Sequence, residues 1–125
     1  MAGIKVSDLA QVVAQELADY SQDVADGVKE EVKQVAKDMV TELKQTSPRN
    51  TGEYAKGWKS RVEYESPEDI RVRVYNSKKP QLTHLLENGH AKQNGGRVNG
   101  IPHIGLAEQK AEDSLEGKVK VVARG

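Results

Sequence analysis

LAQVVAQELADYSQDVADGVKEEVKQVAKDMVTEL, residues 9–43, is the stretch whose reading decides the fold. Its apolar positions, Leu9, Val13, Leu17, Tyr20, Val24, Val28, Val32, Val35, Met39 and Leu43, recur in steps of three or four without a miss. That is the spacing of one face of an α-helix, and Lys, Glu and Asp fill the opposite face. Ser7 is placed to cap the start, Asp8 stands in the first turn, and Pro48 pushes Ser47 out of the helical region. The spacing therefore predicts one long helix over about 8–45. Gly27 costs up to about 1 kcal/mol against Ala inside a helix, so a break there into a self-packed hairpin is the alternative. An unbroken helix of that length would rise roughly 57 Å, whereas a compact domain of this size is only about 35 Å across. It is expected to overhang its own domain, with part of its Val and Leu stripe buried against another copy or another protein.

Beyond the helix, Pro48 to Gly52 is a turn by composition. Trp58, Ser60, Val62 and Tyr64 then alternate with Lys59, Arg61 and Glu63, and Ile70, Val72 and Val74 alternate with Arg71, Arg73 and Tyr75. This predicts a β-hairpin over about 57–76 with one half-buried face and Trp58 as the largest core residue. Leu82, Leu85 and Leu86 give a short helical stretch ending at Asn88-Gly89, a good left-handed terminator. Residues 103–116 place Ile104, Ala107, Ala111 and Leu115 on one helical face, with Gly117 as the expected end. Lys118 to Val121 alternates like an edge strand, a frayed tail being the alternative. The expected architecture is a single α+β domain over 1–125: a long N-terminal helix packed on a small antiparallel sheet, with a second, shorter C-terminal helix.

Between the short helical stretch and the last helix lies a loop, about 89–100, rich in Gly and Asn, where Asn94, Gly95, Gly96, Asn99 and Gly100 all tolerate positive φ. Lys92 and Arg97 are the only charged residues between Glu87 and Glu108. A pliable cationic tip held between packed roots is expected to be mobile in the isolated protein and to order on a partner. Glu87, His90, Lys92, Arg97 and Asn99 are the residues expected to make that contact, while Pro48, Thr51, Gly52, Trp58, Gly89 and Pro102 are expected to hold the fold.

Lysine plus arginine balance aspartate plus glutamate at 19 each, so no overall field draws the chain to DNA or an anionic membrane. The absence of cysteine removes disulfides and thiolate chemistry and is compatible with synthesis in a reducing cytoplasm. No apolar run is long enough to target or span a membrane. With one Trp, four Tyr and no Phe, the core must be built mainly from Val, Leu, Ile and Ala.

Candidates for chemistry are weak. His84, Glu87 and His90 form H-x-x-E-x-x-H, but a zinc-binding helix places its histidines at i and i+4, and Gly89 interrupts this one. Exposed histidines with a capping or salt-bridging Glu87 is the plainer reading, and a metal-dependent hydrolase is the remote one. No G-x-S-x-G elbow, G-x-G-x-x-G turn or phosphate-binding loop occurs, and the acidic pairs Glu30-Glu31 and Glu112-Asp113 fall on solvated helix faces. No catalytic residue, cofactor or metal is expected. Lys59, Arg61, Arg71 and Arg73 make a basic strand face that suits phosphate, the basis of an alternative reading as a nucleic-acid-binding accessory domain. Against it stands a solvated sheet face with Glu63 and Glu65 in cross-strand pairs, so no specific nucleic acid is expected.

The order of these signals resembles the tail-completion, or head-tail joining, proteins of long-tailed bacteriophages, also described as minor capsid or neck proteins. Members of that family look like a long N-terminal helix, P-x-x-T-G-x-L before a hairpin, V-x-N near the second strand's end, L-E-x-G-[TH], a glycine-rich loop and a proline-marked entry to a last helix. Here Pro48, Thr51 and Gly52 match, with Tyr54 where the family favours Leu. Val74 and Asn76 match, Leu86-Glu87-Asn88-Gly89-His90 matches closely, and Ile101-Pro102 with Ala107 is similar to the last entry. The resemblance covers roughly residues 20 to 116; Leu106 and the polar Lys78-Lys79-Pro80-Gln81 depart from it. It implies a structural virion protein, made in the host cytoplasm and located at the neck. There it would sit in a ring between a head-side connector and the tail tube or tail terminator, as a homo-oligomer that can be monomeric when isolated.

Overall fold

The helical stripe read over residues 9–43 splits in two. Its C-terminal part forms helix α1, Gln22–Thr46, while the chain ahead of it forms strands β1, Gly3–Ser7, and β2, Gln11–Gln15. The computed structural model describes residues 3–7, 11–15, 17–48, 52–92 and 95–123, with side chains in 11–15, 17–48, 52–92 and 95–118. The expected start at Ser7 is thus corrected to Ser21, whose Oγ accepts the Val24 N–H at 3.3 Å. The reason lies in Gln11–Gln15. Val12, Val13 and Ala14 are all buried, because β2 lies inside the sheet between β1 and β4, with Val12 and Ala14 in the main core and Val13 on the other face beside Tyr64 and Arg71. A short apolar run between polar ends fits such a strand as well as it fits a helical repeat, and two adjacent β-branched valines favour the strand.

With 25 residues, α1 rises about 37 Å and no longer overhangs. Val28, Val32, Val35, Met39 and Leu43 are buried in the chain's own core rather than left for a neighbour. The helix runs unbroken through Gly27 and stops where expected, at an extended Ser47 whose N–H still bonds Leu43 O.

Strands β3, Trp58–Glu65, and β4, Ile70–Asn76, form the expected hairpin, within a four-stranded antiparallel sheet of order β1-β2-β4-β3. Pairing runs from Trp58↔Asn76 to Val62↔Val72, then slips to Tyr64↔Arg71 and Glu65↔Ile70. This β-bulge inverts the faces expected for Tyr64 and Glu65. Tyr64 is 56% exposed; Glu65 turns to the helix side and meets Lys29 and Lys33, each at 3.4 Å. Lys29 is itself buried, and its ammonium also donates to Ser66 O at 3.0 Å.

Helix α1 lies across the inner face of β2, β3 and β4. Helix α4, Ile104–Ala123, packs along α1 and reaches β1. It continues through Gly117 and through 118–121, so the expected edge strand is corrected to helix. Lys118 bridges to Asp38 at 3.5 Å and Glu31 at 3.8 Å on α1, which holds that turn in the helix layer. Between the layers the largest fully buried side chains include Trp58, Leu17, Met39, Leu43, Ile104 and Leu115. The fold is α+β, as expected, with a larger sheet and a longer last helix.

Candidate functional site

Three short elements separated in sequence converge beside the Trp58 end of the sheet: α2, Glu53–Lys56; α3, Thr83–Asn88; and the entry to α4. Gly52, at φ 83°, turns the chain into α2, and Pro48 is half-buried just after α1. Thr51 lies outside the described residues. Trp58 packs edge-on to Tyr54 with ring centroids 5.6 Å apart and donates its indole N–H to Ser47 Oγ at 2.8 Å. Asn76 closes the same corner, its Nδ2 donating to Tyr54 O at 2.7 Å while its Oδ1 accepts from Lys79 N at 2.9 Å.

At the centre is His103, fully buried. Its Nδ1 lies 2.7 Å from Ile101 O and 3.0 Å from Glu87 Oε1, and its Nε2 lies 2.8 Å from the Tyr54 hydroxyl. Two acceptors face Nδ1, which assigns the proton there and leaves Nε2 to accept from Tyr54. Glu87 also accepts the backbone N–H groups of His103 at 2.7 Å, Ile104 at 2.8 Å and Gly105 at 3.0 Å, capping α4 from a different element. Burial alone would raise the Glu87 carboxyl. The three N–H groups and the adjacent His103 ring outweigh burial and hold it below the usual carboxylate range. Burial, helped by the Glu87 charge, pushes the Tyr54 hydroxyl well above the usual phenol range.

The order Tyr54, His103, Glu87 is that of a proton relay, yet the imidazole is sealed from solvent and both its nitrogens are occupied. The trio locks three elements together. Glu87, expected at a partner contact, is corrected to this role, which the capping alternative had described. The lock itself escaped sequence reading because His103 belongs to no periodic pattern. A histidine beside Ile101-Pro102 and a Tyr at the position where Leu was expected were the two available signals.

From this lock rises a ribbon, β5, Gly89–Ala91, paired antiparallel with β6, Arg97–Asn99. The expected featureless loop is therefore β-structured on both sides of 93–94, which lie outside the described residues. Its base is tight: a Cβ on Gly89 would run into Val98 O and one on Gly100 into Glu87 O. Only glycine permits two backbones so close. Ile101 N bonds Leu86 O at 2.8 Å and the Arg97 guanidinium donates to Asn88 O. His90, Lys92, Arg97 and Asn99 are exposed along the ribbon, and Pro102 is exposed at its exit. Leu85, Val98, Ile101 and Leu106, which are 38–60% exposed, all belong to the ribbon or its flanks. One further large aliphatic side chain, Val62 on β3, is 45% exposed away from this segment.

His84 stands apart on a surface cleft of ≈ 430 Å³ lined also by Arg61, Arg73, Tyr75 and Thr83. Among the described residues no three His, Cys, Asp or Glu side chains are grouped to hold a metal ion. Among the described residues no helix is long and apolar enough to cross a membrane.

Residues 11–89 match the family described as "Bacteriophage HK97-gp10, putative tail-component". The chain belongs to this HK97 gp10-like family. The match covers well over half of the chain and takes in β2, α1, the hairpin and the Leu86 to Gly89 motif; the ribbon beyond Gly89 and α4 lie outside it. It agrees with the resemblance read from the motifs, which was expected to run to about residue 116. No curated protein and no solved structure matches the chain.

Proposed function

We propose that this HK97 gp10-like protein is a non-catalytic virion component that completes the phage neck. As one subunit of a ring, it joins the portal side of the head to the tail. The observation that carries the reading is the pairing of a locked base with an exposed ribbon: Glu87, His103 and Tyr54 fix the geometry of a segment whose own surface is aliphatic and cationic. Such a segment is suited to seating on an adjoining virion protein, with an acidic rim as the complement to Lys92 and Arg97. Family membership supports a structural role in the tail.

Electron microscopy of particles assembled without the protein tests the reading. Full heads and finished tails that accumulate unjoined, and that join when the purified protein is added back, are the expected result. Normally joined particles would sink it.

A further inference from the structure

The net charge is zero, but the charges are sorted by face. On the outer face of the sheet, the cross-strand pairs Lys59↔Tyr75, Arg61↔Arg73 and Tyr64↔Arg71 put four cations side by side. Glu63 is the one carboxylate among them, 3.9 Å from Arg61 and 3.6 Å from Arg73. Arg61 and Arg73 stand directly opposite each other, an arrangement that disfavours the hairpin, and both stack over Tyr75, at 5.3 and 6.0 Å from its centroid. Lys59 and Arg71 have no ion-pair partner among the described residues.

Helix α4 shows the reverse. Lys110 pairs with Glu42 of α1 at 2.6 Å, and Lys118 with Asp38 and Glu31. Glu112, Asp113 and Glu116 are left pointing away from α1, exposed and without a cationic partner among the described residues. Helical spacing places these three on the arc opposite the buried Ala107, Ala111 and Leu115.

We infer that the outer face of the sheet receives the acidic face of α4 from a second copy of this chain. The inference rests on the ring reading above and names the surfaces that would build the ring. Three features favour a second copy over another occupant. The two faces are complementary in charge within one chain of zero net charge. They lie on opposite sides of it, since α4 belongs to the helix layer and the basic residues face away from that layer. The two patches are also of comparable extent, Glu112 to Glu116 rising about 6 Å along α4 and Arg71 to Arg73 covering about 7 Å of β4. Two different patches meeting give a head-to-tail contact, which propagates and closes into a ring when the rotation permits.

Charge reversal tests this in the full chain. Sedimentation equilibrium from micromolar to millimolar protein, at about 50 and 500 mM salt, is expected to show self-association that weakens at the higher salt. The pair Arg61→Glu with Arg73→Glu, and separately Glu112→Lys with Glu116→Lys, should each weaken it at least about tenfold. An equimolar mixture of the two variants should recover it, because each supplies the face the other needs. Lys59→Gln with Arg71→Gln, which breaks no ion pair within the chain, should act in the same direction with an unchanged melting temperature. Association indifferent to every variant, or no association at any concentration, overturns the inference. Either result leaves the neck reading to be judged by whether heads and tails join. Duplex DNA of 20 base pairs held below about 1 μM at physiological salt, and released by the sheet variant, would assign the face to nucleic acid and overturn it as well.

Discussion

The root and the tip of the β5–β6 ribbon are close neighbours in sequence and opposites in construction. At the root, Glu87 accepts three backbone N–H groups, His103 has no solvent exposure, and Gly89 and Gly100 leave no room for a Cβ. At the tip, Gly95 and Gly96 have nothing within 4 Å of where a Cβ would stand, and Lys92 and Arg97 are exposed. The root is determined by contacts inside the chain, so its substitutions report on folding. The tip is determined by very few, so its substitutions report on whatever it meets.

The contrast breaks most decisively if the root tolerates truncation. Trp58→Ala, which removes the ring that packs on Tyr54 and satisfies Ser47, is expected to cost roughly 3–5 kcal/mol in denaturant unfolding. A loss below about 1 kcal/mol would show that the corner is not closed by this residue.

Glu87→Gln is the next step down, at about 1–3 kcal/mol at neutral pH, and it carries a pH signature. Because the native carboxyl is held below its ordinary value of 4.5, its charged form is favoured by folding. That stability is complete above the unfolded value and disappears as pH falls through the lowered native one. Unfolding measured between pH 7 and 3 should therefore show the wild-type advantage over the Gln variant shrinking only in acid. A constant difference across that range would mean that the carboxylate charge contributes nothing.

At the tip, Lys92→Glu combined with Arg97→Glu should move the melting temperature by no more than about 2–3 °C while head-tail joining in an add-back assay is lost. If the protein unfolds instead, the ribbon is a strut and the contact lies elsewhere. The smallest expected effect is that of metal. Neither zinc nor a chelator should shift melting by more than about 1 °C, since His84 and His90 are exposed on separate elements and His103 is committed to Tyr54 and Glu87.

What could be read from the sequence follows the strength of each periodic signal. The β3–β4 hairpin was legible because alternation from Trp58 to Tyr75 has few competing interpretations, and the C-terminal end of α1 because Pro48 dictates the conformation of Ser47. The first strands were not legible, because Leu9, Val13 and Leu17 satisfy the helical period and Val12 to Ala14 equally suit a strand buried on both faces. Ambiguity of that sort is settled by which neighbours exist, and β4 supplies one that local pattern does not contain. The same holds for 118–121, whose alternation is strand-like while Lys118 finds its acids on α1. The lock at His103 depends on residues 54, 87 and 103 meeting in space, which no local spacing encodes.

The extra residue in β3 has an effect that reaches past its own strand. Along a pleated strand the side chains keep time, and the slip between Val62 and Tyr64 shifts the beat by half a period. The first half of the strand answers to Trp58 and the core. The second answers to Lys29, a cation of α1 buried against the sheet, where Glu65 arrives on its side. Were the ladder to run on from Val62↔Val72 without the slip, with Glu63 opposite Arg71 and Tyr64 opposite Ile70, Tyr64 would face the two lysines and Glu65 would be carried to the far surface. That unslipped register would leave Lys29 to Asp26 of its own helix, at 3.6 Å, and the helix would lose its ionic attachment to the sheet without losing a single residue of its own.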